Sequence, residues 1–451
     1  MPPDYGRMTE DAVRILELLC RQPSVSAEKR ALDETADLVE ELLAGAGFET
    51  RQLRADGGAP AVYGDQPGRG DFTLLLYNHY DVQPESPLDL WDSPPFEPAR
   101  RDGKLFARGT SDNKAELAVR LAVLRAIRDE QGELPIHVRW IVEGEEEIGS
   151  PSFDAIVRDN VELLRADGGL WEGSPARLPD GRPDFALGFK GALGVRLDVR
   201  ALATDAHSSI EVAAPSAPWR LVQALAGLRD RDGTVRVAGY YDRALPPTAA
   251  EREAIANMSN AEEEDLRRTL GLDAFLDGLT GAALWERLAY RPSSNISGIE
   301  TGYHGPGIKT VLPAVASAWM DFRLVPDQEP EEILELLRAH LEREGFEDVE
   351  VTPLVLAKPA TTSLDDPFVR RVVAVAEAVT GERASIAPLT AGTLPLVATM
   401  RDRLGLPGLS APDNPVYWGS KAHAPNEHIR LEDVEPALRF TYELLRALET
   451  S

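Results

Sequence analysis

The chain has 451 residues, enough for two domains or for one large domain with an insertion. Hydrophobic residues make up 43% and charged residues 27%, a balance that suits a soluble globular protein. Asp and Glu number 75 against 48 Lys and Arg, so the formal net charge is −27, which argues against nucleic acid or an anionic membrane as partner.

Cys20 is the single cysteine, so no intrachain disulfide and no cysteine cluster for a metal can form. That usage fits a reducing compartment. The opening MPPDYGRMTEDAVRIL lacks the basic-then-apolar layout of a signal peptide, and no apolar run approaches about 18 residues. The expected location is cytoplasmic.

In chain order, TEDAVRILELLCRQ (9–22) predicts a helix capped by Thr9, and ALDETADLVEELLAGAGF (31–48) a second that stops at glycines. FTLLLYN (72–78) reads as a buried strand. A Pro- and Asp-rich loop spans 79–112; so long a loop inside a compact region is usually functional. NKAELAVRLAVLRAIRDE (113–130) is helical and IHVRWIV (136–142) a second buried strand, together predicting an α/β layer with a mostly parallel sheet. After GFKGALG (188–194) the texture changes. VRLDVRA (195–201) and VASAWMDFRLV (315–325) alternate like half-exposed strands. SAPWRLVQALAGLRD (216–230) and EPEEILELLRAHLERE (329–344) are helical, and VEVTPLV (349–355) is another strand. Polar, mixed residues 231–292 read as an insertion within this α+β module. DDPFVRRVVAVAEAVTG (366–381) and LEDVEPALRFTYELLRAL (431–448) are closing helices. The expected architecture is an α/β domain of residues 1–190 and 358–451, interrupted by a smaller α+β domain of residues 191–357.

Acids and histidines collect where strands end. His79 and Asp81 follow strand 72–78, Asp112 precedes a helix in GTSDNK, EGEEE (143–147) follows strand 136–142, and His423 lies in KAHAPNEH. The crevice beyond strand ends is where open α/β sheets build sites. An acidic run is ordinarily a solvated face. Imidazoles with carboxylates, without cysteine, suit zinc or another divalent ion at a hydrolytic site. Two ions would offset this acid density with roughly four positive charges. His137, His304, His340 and His428 read as structural or exposed, with His340 on a helix surface.

HYDVQP (79–84), LWDSPPFEPARRDGKLFARGTSDNKA (90–115), EGEEEIGS (143–150), DAHSS (205–209), KTVLP and DFRLVP within 309–326, and AHAPNE (422–427) occur in the order of a known motif series. They resemble the dizinc metallopeptidases, the family of aminoacylases, carboxypeptidase G, succinyl-diaminopimelate desuccinylase and the carnosine dipeptidases, and look closest to the carnosinase-like branch. The resemblance implies a zinc-exopeptidase-like catalytic domain interrupted by a lid that forms a homodimer. It implies two Zn2+ per subunit, with Mn2+ or Co2+ as substitutes. His79 would bind one ion, Asp112 would bridge both, and Glu147 with His423 would bind the other. The remaining ligand falls in ADGGLWEGS (166–174), where alignment favours Glu172 over Asp167. Asp81 would orient His79. Glu146 would be the general base that takes a proton from water and gives it to the leaving amine. His207 resembles the lid histidine that reaches the partner subunit's site to stabilise the developing oxyanion. Arg323 resembles the arginine that pairs with a substrate carboxylate. Thr310, also in the lid, stands where asparagine is frequent. Leu389, Thr390 and Ala391 replace the Arg-Glu-Gly start of a substrate loop. The implied reaction is hydrolysis of a dipeptide or N-acyl amino acid. The alternatives are an N-carbamoyl or N-acyl amino acid amidohydrolase and a non-catalytic binding homologue.

Overall fold

The computed structural model describes residues 3–55, 57–261 and 263–449. Its centre is a six-stranded sheet in the order Glu49–Leu53, Ala61–Gln66, His137–Glu143, Thr73–His79, Gly168–Leu170, Gly408–Leu409. The first two pairings are antiparallel and the other three parallel. This is an α/β fold with a mostly parallel sheet.

The reason lies in strand Thr73–His79, of which all but Thr73 is buried. A strand paired on both edges and covered on both faces must be apolar throughout. Leu74, Leu76, Val138, Trp140 and Val142 point into one core, with helices Tyr5–Cys20, Ala115–Gln131, Pro367–Thr380 and Val434–Leu448. Leu75, Tyr77 and Ile141 point into the other, against helices Phe153–Asp159 and Pro395–Leu404. Successive residues thus serve opposite layers, as strand geometry demands. In register, His79 sits opposite Glu143, so both strands deliver their last residues to the same edge.

A second sheet, ordered Ser293–Thr301, Val315–Leu324, Gly191–Arg200, Glu350–Ala357, is antiparallel throughout. Its alternate residues Leu193, Val195, Leu197, Ala318, Met320 and Phe322 form a separate core with helices Ala217–Leu228 and Pro330–Arg343. The opposite face carries Arg196, Asp198, Trp319 and Arg323 and is open, which explains the alternating texture of these segments.

Several local expectations change. The first helix starts at Tyr5, and its cap is Asp4, which accepts from Arg7 N at 3.0 Å; Thr9 lies inside the helix and its hydroxyl donates to Tyr5 O. His340 is 2% exposed and not on the surface. It falls on the stripe of Ile333, Leu337 and Leu341, and its Nε2 lies 3.2 Å from Gly227 O. The loop after His79 contains strands Ala99–Arg101 and Lys104–Phe106, the latter paired with His428–Arg430. Residues 231–292 hold helices Ala249–Ala256, Glu263–Thr269 and Gly281–Tyr290. They reach the first domain: Arg182 donates to Asn257 O, and Ser259 N to Ser385 Oγ at 3.1 Å. Strands Glu49–Leu53 and Ser293–Thr301 escape pattern reading because both are polar, exposed edges. No helix among the described residues is long and apolar enough to cross a membrane.

Candidate metal centre and active site

His79 closes its strand, fully buried, with Nδ1 3.1 Å from Asp81 O and 3.4 Å from Asp81 Oδ1. This turns Nε2 outward, 2.9 Å from Asp112 Oδ1 and 3.8 Å from Glu172 Oε1. Asp81 also accepts from the backbone N–H groups of Glu146 at 3.2 Å and Glu147 at 3.1 Å. One buried carboxylate therefore orients the imidazole and fixes the turn that carries two glutamates.

Asp112 lies in the turn before helix Ala115–Gln131, and its second oxygen, Oδ2, is 3.0 Å from His423 Nε2. His423 is also 3.1 Å from Glu147 Oε2, which accepts from Gln83 Nε2 at 2.9 Å. Two triads result, His79–Asp112–Glu172 and Asp112–Glu147–His423, each with its ligand atoms within 4.8 Å of one another. They share Asp112. Asp167 stands apart; its side chain accepts from Thr73 N at 2.8 Å.

The electrostatics of this cluster call for cations. Desolvation and the charge of Glu146 push Glu172 well above the usual carboxylate range. Desolvation likewise lifts Glu146 to about 7. Hydrogen bonds to Asp112 and Glu147 raise His423 to about 10. At Asp112, desolvation is outweighed by hydrogen bonds from His423 and His79, which hold it below the usual range. Glu172 Oε1 is shut off from solvent with no hydrogen-bond partner. A buried carboxylate oxygen without a donor, beside two imidazoles and two further carboxylates, is a donor set that divalent zinc or manganese fits.

The EGEEE run separates into individual roles. Glu143 is buried and its Oε1 accepts from Tyr77 Oη at 2.5 Å and Ser150 Oγ at 2.9 Å. Burial pushes its carboxyl up to about 8. Gly144 must lack a side chain, because a Cβ would lie 2.2 Å from Tyr80 Oη. Glu145 is buried and precedes the short 3-10 turn Glu146–Ile148, which Gly149 ends at φ 87°. Only Glu147 enters a triad, with Glu146 beside it.

Sequence reasoning missed Glu427. It is fully buried, and its carboxylate accepts from Arg108 Nη1 (2.7 Å), Gly109 N (3.0 Å), Ser111 N (2.8 Å), Ser111 Oγ (2.9 Å) and Asp112 N (3.2 Å). It thereby ties the Asp112 turn to the His423 loop. Its place four residues after His423 was the available signal.

His207, Thr310 and Arg323 lie outside both triads. His207 is exposed, with Nδ1 2.9 Å from Ser209 Oγ and Nε2 3.4 Å from Thr310 Oγ1. Arg323 donates to Thr393 Oγ1 at 2.8 Å, joining the second sheet to the 389–396 segment. Leu389 is buried against Ile255, Ala289 and Tyr290 of the 231–292 segment, while Thr390 is half-buried and Ala391 exposed.

Residues 75–447 match the model of peptidase family M20/M25/M40. The chain belongs to that family. The M20 family metallo-carboxypeptidase Sso-CP2 of Sulfolobus solfataricus is 34% identical and superposes with a TM-score of 0.91 over 98% of this chain and all of that one. Beta-Ala-His dipeptidase of Rattus norvegicus is 29% identical over 306 residues, 65% of this chain and 61% of the rat protein. The Cys-Gly metallodipeptidase dug1 of Schizosaccharomyces pombe is 29% identical over 343 residues, 71% of this chain and 70% of the yeast protein. This chain therefore aligns with less than two thirds of the rat protein's length. Two of these relatives carry a metal dependence in their names, in keeping with the ligand groups found here.

Proposed function

We propose that this M20-family protein hydrolyses the amide bond of a dipeptide or an N-acyl amino acid bearing a free carboxylate, using two divalent ions, zinc by preference. One observation carries the reading: Asp112 offers one oxygen to His79 and the other to His423, so a single carboxylate links two ligand groups. His79 and Glu172 would complete one group, Glu147 and His423 the other. When bound, the ions supply Lewis-acid polarisation of the scissile carbonyl and acidify a water.

Glu146 accepts the proton of the attacking water and returns it to the leaving amine. Desolvation at this position favours the protonated form of the Glu146 carboxyl, in keeping with a group that must take up a proton. Asp81 holds the turn so that Glu147 faces His423 while its neighbour Glu146 stays free for the water. Arg323 and Thr393 pair with the substrate carboxylate. His207 and Thr310, from the lid of a second subunit, stabilise the developing oxyanion. The names of the relatives, dipeptidase and metallo-carboxypeptidase, support the substrate class.

A second reading, an N-acyl or N-carbamoyl amino acid amidohydrolase, is favoured by the 389–392 stretch. Leu389, Thr390, Ala391 and Gly392 offer no charge to pair with a free ammonium group. Activity on dipeptides, N-acyl and N-carbamoyl amino acids, assayed in parallel with added Zn2+ or Mn2+, separates the two. Glu146→Ala is expected to lose at least about 100-fold in kcat while holding about two ions per chain. Unchanged turnover in that variant would remove Glu146 as the base.

A further inference from the structure

The parallel pairing between strands Thr73–His79 and Gly168–Leu170 runs from Leu74 opposite Gly168 to Leu76 opposite Leu170, and stops there. The next residues, Tyr77 and Trp171, lead directly to His79 and Glu172. No ladder bond joins the two chains where the spacing of these ligands is decided.

A guanidinium stands there instead. Arg120, fully buried on helix Ala115–Gln131, donates from Nη1 to Tyr77 O at 2.6 Å and to Asn78 Oδ1 at 2.9 Å. Its Nη2 donates to Trp171 O at 2.7 Å and pairs with Glu116. Its Nε donates to Asp413 Oδ2 at 2.8 Å. Four hydrogen bonds and the ion pair with Glu116 thus converge on one guanidinium, a set that no other side chain can supply in one plane. The network continues to the bridging carboxylate: Asn78 Nδ2 donates to Asn113 Oδ1 at 2.5 Å, and Asn113 Nδ2 to Glu116 Oε2 at 2.6 Å. Asn113 is the residue after Asp112. The segments that carry His79 and Glu172 thus meet at Arg120, and the Asp112 segment joins them through Asn113, whereas no bond links Arg120 to the turn of Glu147 or the loop of His423 among the described residues.

We propose that Arg120 is a positioning residue that sets the separation of the strand ends bearing His79 and Glu172, and through it the affinity of the His79–Asp112–Glu172 group for its ion. This rests on the two-ion reading above. A planar five-donor group fixes two carbonyls from separate strands in one geometry; a lysine keeps the charge but has three donors on a flexible stem.

Chelator-stripped protein titrated with Zn2+ by calorimetry tests this. His423→Ala isolates the His79 group and Glu172→Gln isolates the other. Adding Arg120→Lys is expected to weaken the ion left in the His423→Ala background by about 10- to 100-fold, and the ion left in the Glu172→Gln background by less than about 3-fold. Circular dichroism and the metal-free thermal midpoint check that Arg120→Lys folds. If it does not, Asp413→Asn replaces it; that variant removes the charge opposite Nε and is expected to weaken the same ion by a smaller factor. Equal weakening in both backgrounds, or none in either, overturns the proposal. A wild-type chain that binds no zinc overturns the two-ion reading itself, and the proposal with it.

Discussion

At the scale of single residues, neighbouring glutamates of one charge run have opposite fates because their strand and turn point them to different surroundings. Glu143, the last strand residue, turns inward to Tyr77 and Ser150 and is lifted to about 8 by burial, with the charges of Asp81 and Glu146 adding to the rise. In the metal-free protein its folded value lies above the ordinary 4.5. The folded state then keeps a proton that the unfolded chain gives up, so stability falls as pH rises from about 4.5 to about 8. Glu143→Gln removes this slope. Its thermal midpoint relative to the parent is expected to climb between pH 5 and 8 and then level, measured by calorimetry in chelator; a flat difference would mean that Glu143 ionises normally.

At the scale of elements, the decisive device is a loop held from outside. In the turn 109–112, Glu427 from the far end of the chain accepts from the N–H groups of Gly109, Ser111 and Asp112, from the Ser111 hydroxyl and from the Arg108 guanidinium. Removing one partner of such a buried pair leaves an unpaired charge. Glu427→Ala is therefore expected to cost about 3–5 kcal/mol in denaturant unfolding. It is also expected to weaken both ions, since the bridging Asp112 loses its anchor. Loss of stability without any change in zinc stoichiometry or affinity would show that the anchor does not reach the centre.

For the molecule as a whole, the position of His207 matters most. It is exposed on the two-stranded ribbon of Ala206–His207 and Val311–Leu312 and belongs to neither triad, and the proposed role at the centre assigns it to the site of a second copy. Mixing Glu146→Gln and His207→Ala chains, each of low activity, is expected to restore about a quarter of parental turnover, because half the random dimers are mixed and each has one complete site. No recovery on mixing, with a monomer by light scattering, would end the lid-in-trans reading. The 231–292 helices add a further link: they bury Leu389 and so hold the 389–396 segment to which Arg323 bonds.

Periodicity and strand-end chemistry in the sequence alone determined the α/β class, the buried strands and the α+β second module, because a doubly covered strand and an amphipathic helix each have their own hydrophobic period. Strand-end chemistry singled out His79, Asp81, Asp112, the 143–147 run and His423, and the family resemblance implied Glu147 within that run and Glu172; the fold brings these together from five separate segments. Sequence reasoning missed His340's burial, the polar edge strands, Glu427 and the Arg120 network. Glu427 and Arg120 depend on what lies opposite from hundreds of positions away, Arg108 for Glu427 and Asp413 for Arg120. Local pattern records the face a side chain presents; only tertiary packing decides which charge meets it there, because burial makes that partner compulsory.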